Sequence, residues 1–182
     1  SFVESNSNSG SFTFDPNYNS EVEFPQYDAN GRIIEQNKTN DIKETYIWNY
    51  NKMYPVAKTV NANQGEVAYS SFEADEANSK VNFIPANVVT DASIAHTGRK
   101  YYSLNDPDPL NANITTNIAP IINNTYKLSL WAKGGDVMIW HVVNSVYNFI
   151  TIPAPIKTRS GWNYYEVTMP SNFSGIAAIS KR

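Results

Sequence analysis

YKLSLWAK, residues 126–133, alternates along its whole length. In an extended chain Leu128, Leu130 and Ala132 share one face, and Lys127, Ser129, Trp131 and Lys133 share the other, because successive strand side chains point to opposite sides of the sheet. The same period of two recurs in residues 11–14 (SFTF), 45–50 (TYIWNY) and 162–167 (WNYYEV). Each run is rich in β-branched or aromatic residues, and turn clusters separate them at short, fairly regular spacing. Helical periodicity is missing, since no window of about 12 residues keeps apolar positions at i, i+3, i+4 and i+7 free of Pro, Gly or Asn. The chain is therefore predicted to be all-β, with no helix beyond about three turns.

Outward from that stretch, eight segments read as strands: 67–74, 81–84, 99–104, 126–133, 136–143, 146–152, 162–169 and 174–179. A set of this size suits a two-sheet antiparallel sandwich. Residues 105–124 read as a crossing loop with a short strand near Ile114. Before residue 61 the strands are shorter and joined by tight turns, and they look unable to close a core alone. YDANGRIIEQ, residues 27–36, shows the turn chemistry: Asp28 and Asn30 can bond their own backbone, and Gly31 can take a positive φ between strands at 23–27 and 32–36. Residues 61–66 read as a linker, with 61–65 (NANQG) an exposed, mobile hinge. The predicted organisation is 1–60, a hairpin segment; 61–66, the linker; and 67–182, the sandwich.

The chain has 182 residues, 41% hydrophobic and 13% aromatic, enough to bury a real core. Its net charge is −3, and only 17% of residues are charged. That balance argues against a nucleic-acid partner, which calls for a basic patch or stripe. No apolar run approaches the roughly 18 residues of a membrane span. With no cysteine, disulfides, thiol catalysis and thiolate metal sites are excluded. The neutral-polar, Asn-rich style suits a secreted or cell-surface protein.

Two resemblances give these segments a context. Tyr27, Asp28, Gly31 and Arg32, with Ile33 behind them, resemble the YD repeat of RHS-type bacterial surface proteins. Residues 45–58 (TYIWNYNKMYPVAK) look like a segment that ends such repeat regions, with Asn49 where those proteins more often carry Gly. The resemblance implies hairpins that stack side by side into a long sheet, so that one repeat is a fragment of a shell. Residues 71–74 (SFEA), 96–104 (HTGRKYYSL), 126–133 and 161–165 (GWNYY) resemble, in that order, the jelly roll of carbohydrate-binding modules. Those modules close with a strand carrying an Asp and alternating aliphatics. This chain departs from that pattern at 179–182 (ISKR), so the sandwich is expected to lack its final strand and to leave an unpaired edge.

Enzyme chemistry finds little footing. His96 precedes a turn glycine and His141 ends an apolar strand, and neither is placed beside a nucleophile and an orienting group. No HExxH, P-loop or dinucleotide fingerprint occurs. Asp106 and Asp108 lie close together in DPDP, but Asp-Pro pairs are ordinary loop starters, and glycoside hydrolysis needs two facing carboxyls. Aromatic residues are better candidates, because a sugar ring stacks its apolar face on an indole or phenol while its hydroxyls reach polar neighbours. Core burial is the competing fate of any such ring. Trp131, between Ser129 and Lys133, is the exposed platform candidate, with Lys133 and Tyr164 as further contacts. Trp140 shares a face with Met138 and Val142 and reads as core. The jelly-roll resemblance also implies a structural Ca²⁺ held by Glu73 and Asp75, although the late Asp that would complete it is absent and both acids read equally as solvated.

The expected function is a non-catalytic piece of a large secreted or surface RHS-type protein whose sandwich binds glycan or serves adhesion. The alternative is a structural or cargo segment of a type IX-secreted protein of surface adhesion or gliding, paired with a larger protein or the secretion machinery and binding no glycan. A glycoside hydrolase is third.

Overall fold

A computed structural model describes residues 6–8, 11–13, 20–51, 53–73, 80–105, 107, 114–135 and 137–182. Within them the chain is all-β and antiparallel, and the only helical turns are two short 3-10 segments at Gln64–Glu66 and Pro85–Asn87. Strands β1 (Asn6–Asn8) and β2 (Ser11–Thr13) form a hairpin. Strands β3 (Val22–Tyr27), β4 (Ile33–Lys38), β5 (Lys43–Asn49) and β6 (Tyr54–Val60) follow as a meander in chain order. The remaining strands are β7 (Val81–Phe83), β8 (Val88–Thr90), β9 (Lys100–Tyr102), β10 (Ile114–Thr116), β11 (Lys127–Lys133), β12 (Val137–Val143), β13 (Val146–Ile150), β14 (Lys157–Arg159), β15 (Trp162–Thr168) and β16 (Ala177–Lys181). They build a five-stranded sheet ordered β13-β12-β16-β10-β7, a three-stranded sheet ordered β11-β15-β14, and the hairpin β8-β9.

Alternation in β11 works as its sequence dictates. Leu128, Leu130 and Ala132 pack against Ile114, Val137 and Ile179 of the five-stranded sheet, and Phe83, Phe72 and Tyr102 extend the same cluster. Those three rings sit 5.3 to 6.0 Å apart between centroids, within the range of favourable aromatic pairs. Two-residue turns with positive φ at both positions, Asn144-Ser145 and Ser160-Gly161, close the β12-β13 and β14-β15 hairpins in the sense that matches strand twist. The final strand β16 is central in its sheet, flanked by β12 and β10. Among the described residues of the sandwich sheets, β13, β7, β11 and β14 are edge strands; β11 pairs only with β15. Beside it runs a cleft of about 940 Å³.

Three expectations are corrected. Residues 67–73 form no strand, and Phe72 takes φ 60°, which takes it out of the extended conformation. Trp140 lies on the face of β12 opposite the core residues Val137 and Ile139; it meets the half-exposed Phe149 edge-on at 5.4 Å and donates from Nε1 to Ser180 Oγ at 3.1 Å. The segment 61–65 is not an exposed hinge, since only Asn61 is exposed. Its groups are taken up from both sides: Asn61 N–H donates to Lys43 O (2.7 Å), Thr45 Oγ1 to Ala62 O (2.5 Å), Gln64 N–H to Glu35 Oε1 (2.6 Å) and Ala119 N–H to Gly65 O (2.8 Å). The adjoining Glu66 carboxylate is buried and accepts from Asn63 N–H, Asn124 Nδ2 and Tyr126 Oη. A polar linker becomes an ordered joint because the meander and the sandwich both offer it partners.

The meander is built differently from the sandwich. Every buried apolar residue among those described lies at position 67 or beyond, whereas the buried residues of β4 and β5 are Glu35, Thr45 and Asn49.

Candidate functional site

The outer face of the three-stranded sheet is set by register. Trp131 lies beside Tyr164, and Tyr164 lies beside Lys157. One step along, Lys133 lies beside Trp162, and Trp162 beside Arg159. Two rows therefore cross the sheet, one reading Trp-Tyr-Lys and the other Lys-Trp-Arg. Ser129 and Glu166 form the next row, where Glu166 receives Lys127 Nζ at 2.6 Å.

The connection between β8 and β9 completes the group. Asp91 shapes it: its Oδ1 accepts from Ser93 N–H (2.9 Å) and Ser93 Oγ (2.6 Å), and its carbonyl accepts from Ala95 N–H (2.9 Å). These bonds hold the Asp91 carboxyl below its ordinary range. The turn brings Ile94 O to Trp162 Nε1 at 2.9 Å and lays His96 on the Trp131 indole, centroids 4.0 Å apart and planes 22° from parallel. His96 also meets Trp162 edge-on at 5.9 Å, and Tyr164 leans on Trp131 at 5.2 Å and 43°. Burial, and then the positive charge of Arg159, push the His96 pKa down, so its imidazole is neutral at pH 7. Its Nε2 is buried with no hydrogen-bond partner among the described residues.

The structure thus brings together Trp131, Lys133 and Tyr164, the three contacts expected from sequence. Trp131 is half-buried rather than a free-standing plate, because His96 covers part of it. Lys133 is exposed, its side chain running past Gly161. Register adds Trp162, one of the sandwich aromatics weighed from sequence, together with Lys157 and Arg159, which the sequence does not mark; His96 arrives through a loop fold that no local pattern announces. The cleft beside β11 is lined by the inward-facing Leu128 and Leu130 and by Ile114, Val137 and Ile179 of the facing sheet, and its rim includes Trp131, Tyr164, Trp162 and His96.

Of the two residues expected at a calcium site, Glu73 is described. Glu73 Oε1 accepts the backbone N–H groups of Arg99 and Lys100, both at 2.6 Å, which caps the start of β9. Asp75 lies outside the described residues, as do Asp106 and Asp108. Among the described residues no three His, Asp or Glu side chains gather where a metal ion could sit. His141 is buried in β12, its Nδ1 without a hydrogen-bond partner among the described residues.

The turn motif has a clear physical reading. Asp28 Oδ1 accepts from Asn30 N–H (2.8 Å) and Arg32 N–H (3.0 Å), while Oδ2 takes Arg32 Nε at 2.7 Å and Nη2 at 2.5 Å. Gly31, at φ 77°, lets the chain reverse inside this clasp, and Gly31 N–H closes on Asp28 O at 3.0 Å. Partial burial pushes the Asp28 carboxyl up, but the Arg32 and Asn30 bonds outweigh it and the pKa falls. Tyr27 stands half-exposed beside the clasp, 6.5 Å from the Phe24 ring. Asp, Gly and Arg in that order form one self-contained turn.

No protein-family model matches this chain, and no curated protein or solved structure matches it.

Proposed function

We propose that the chain is a non-catalytic part of a secreted or cell-surface bacterial protein of the RHS type, whose sandwich binds glycan on the outer face of the β11-β15-β14 sheet. The observation that carries the reading is the grouping of Trp131, Trp162, Tyr164 and His96 on one face, bordered by Lys133 and on the rim of the cleft. Indole and phenol rings offer an apolar surface with a polar rim, which matches the two-sided chemistry of a pyranose. A glycan array probed with the whole chain tests it. Binding that falls at least tenfold in Tyr164→Ala and Lys133→Ala, with unchanged thermal unfolding, supports the reading; silence across the array refutes it.

A second reading, a structural or cargo segment with no glycan ligand, is favoured by a different surface. Tyr27, Tyr50, Met53 and Tyr54 are all about half to two-thirds exposed on the meander. Such apolar surface suits stacking against neighbouring hairpins.

A further inference from the structure

We propose that the ligand of the β11-β15-β14 face is an acidic glycan, one whose sugar units carry carboxylates; this rests on the glycan reading above and narrows it. The two rows crossing the sheet place a cation at three of their four ends. Lys133 and Arg159 flank Trp162, and Lys157 flanks Tyr164. Neighbouring strands stand about 4.8 Å apart, so Lys133 and Arg159 bracket the indole across roughly 10 Å, while Lys157 and Arg159 stand about 7 Å apart along β14. A ring stacked on these aromatics would have cations on both sides of it.

The charge balance of the face runs against that of the chain. Among the described residues, the three strands carry on this face Lys127, Lys133, Lys157 and Arg159 against the single carboxylate Glu166, with Asp91 in the adjoining β8-β9 turn, in a protein whose net charge is −3. Glu166 is already committed to Lys127. Among the described residues Lys133, Lys157 and Arg159 make no ion pair, whereas Arg32, Lys43 and Lys58 of the meander each hold a carboxylate. Cations left unmatched beside stacking rings recognise anions, and guanidinium can grip a carboxylate by two parallel hydrogen bonds. The neighbouring imidazole is neutral, so it adds stacking surface without adding charge. A neutral glycan could offer these three cations only its hydroxyls, with no opposite charge to pair them.

The test compares the whole chain against galacturonate and mannuronate hexamers, cellohexaose and mannohexaose, and a polyglutamate of matched charge, by calorimetric titration in low and high salt. The expected result is at least tenfold tighter binding of a uronate hexamer than of either neutral hexamer or polyglutamate, with the margin shrinking in 0.5 M salt as exposed charges are screened. Lys157→Gln with Arg159→Gln, both exposed positions, should weaken uronate binding at least tenfold and leave the melting temperature in place. Equal or tighter binding of a neutral hexamer overturns the acidic assignment while leaving the glycan reading intact. Equal binding of polyglutamate shows that charge alone acts and overturns it too. Binding of no sugar at all defeats both readings.

Discussion

Glu35 is the side chain on which the joint between meander and sandwich can be tested. It is buried, and it accepts Gln64 N–H at 2.6 Å through Oε1 and Lys43 Nζ at 3.2 Å through Oε2. Glu35→Ala leaves the half-buried Gln64 amide without its acceptor, at a cost of about 1–3 kcal/mol. Lys43 keeps Asn63 Oδ1 at 2.6 Å and is one-third exposed, so losing the ion pair adds only about 0–1 kcal/mol. Together the loss should be about 1–4 kcal/mol, or roughly 2–16 °C in melting temperature for a chain of this size. Glu35→Gln retains a carbonyl oxygen for Gln64 and should lose less than half as much. Thermal unfolding followed by circular dichroism gives the magnitude, and amide exchange at Gln64 shows whether the loss is local. A Glu35→Ala chain that melts within about 1 °C of the wild type, with Gln64 exchange unchanged, would refute the idea that this contact ties the segment down.

Gly31→Ala should destabilise the meander by about 1–2 kcal/mol in urea unfolding, because the space around a Cβ is open and only the left-handed backbone resists it. The Glu44 carboxyl, held by Lys58, Gln36 and Tyr46, has its pKa lowered to about 2 from an ordinary 4.5. The unfolded chain therefore takes up that proton first, and the stability Glu44 contributes is full above about pH 4.5 and drains away toward pH 2; a side-chain carboxyl titration by NMR should show the low midpoint. His96 obeys the same sign, since its neutral form is favoured in the folded chain: its contribution to stability falls as pH drops below the ordinary histidine pKa of about 6.5. The stacking on Trp131 weakens once the imidazole protonates at its lower folded pKa, seen as a change in indole fluorescence that is absent from His96→Gln. The exposed rings of the meander and the open edge of β11 predict that the 182-residue chain self-associates; a monodisperse monomer in sedimentation, with slow amide exchange across residues 45–60, would contradict this.

Much of the β architecture was legible because alternation is a local property. The faces of β11 were readable residue by residue, the strand near Ile114 appears as β10, and the Asp28 turn forms where its residues ask for it. Trp140 shows where parity fails. Its strand is apolar on both faces, Val137 and Ile139 on one and Met138, Trp140 and Val142 on the other, as a central strand can be, so alternation could not say which side held the core. The short strands β8 and β14 lie outside the segments that read as strands. The misread hinge has another cause: polar residues look the same in sequence whether water or protein satisfies them. In the candidate site, the rows holding Trp131, Tyr164 and Lys133 follow from two strands and one hairpin. The stacking of His96 needed knowledge of a loop's path through space, which no spacing encodes.

The order of strands in the sandwich bears on how the chain can fold. In the meander each strand pairs with its neighbour in sequence, so pairing needs only short loops to close. The five-stranded sheet is the opposite case: β16 joins β10, with Ile114 opposite Ile179, and is also the inner partner of β12. Until residues 177–181 arrive, the β12-β13 hairpin and the β7-β10 pair have nothing between them to make one sheet. Contacts so distant in sequence slow folding. As the chain leaves a ribosome, the meander can form early, while the sandwich waits for β16 with Ile139 and Ile114 still exposed to unwanted neighbours.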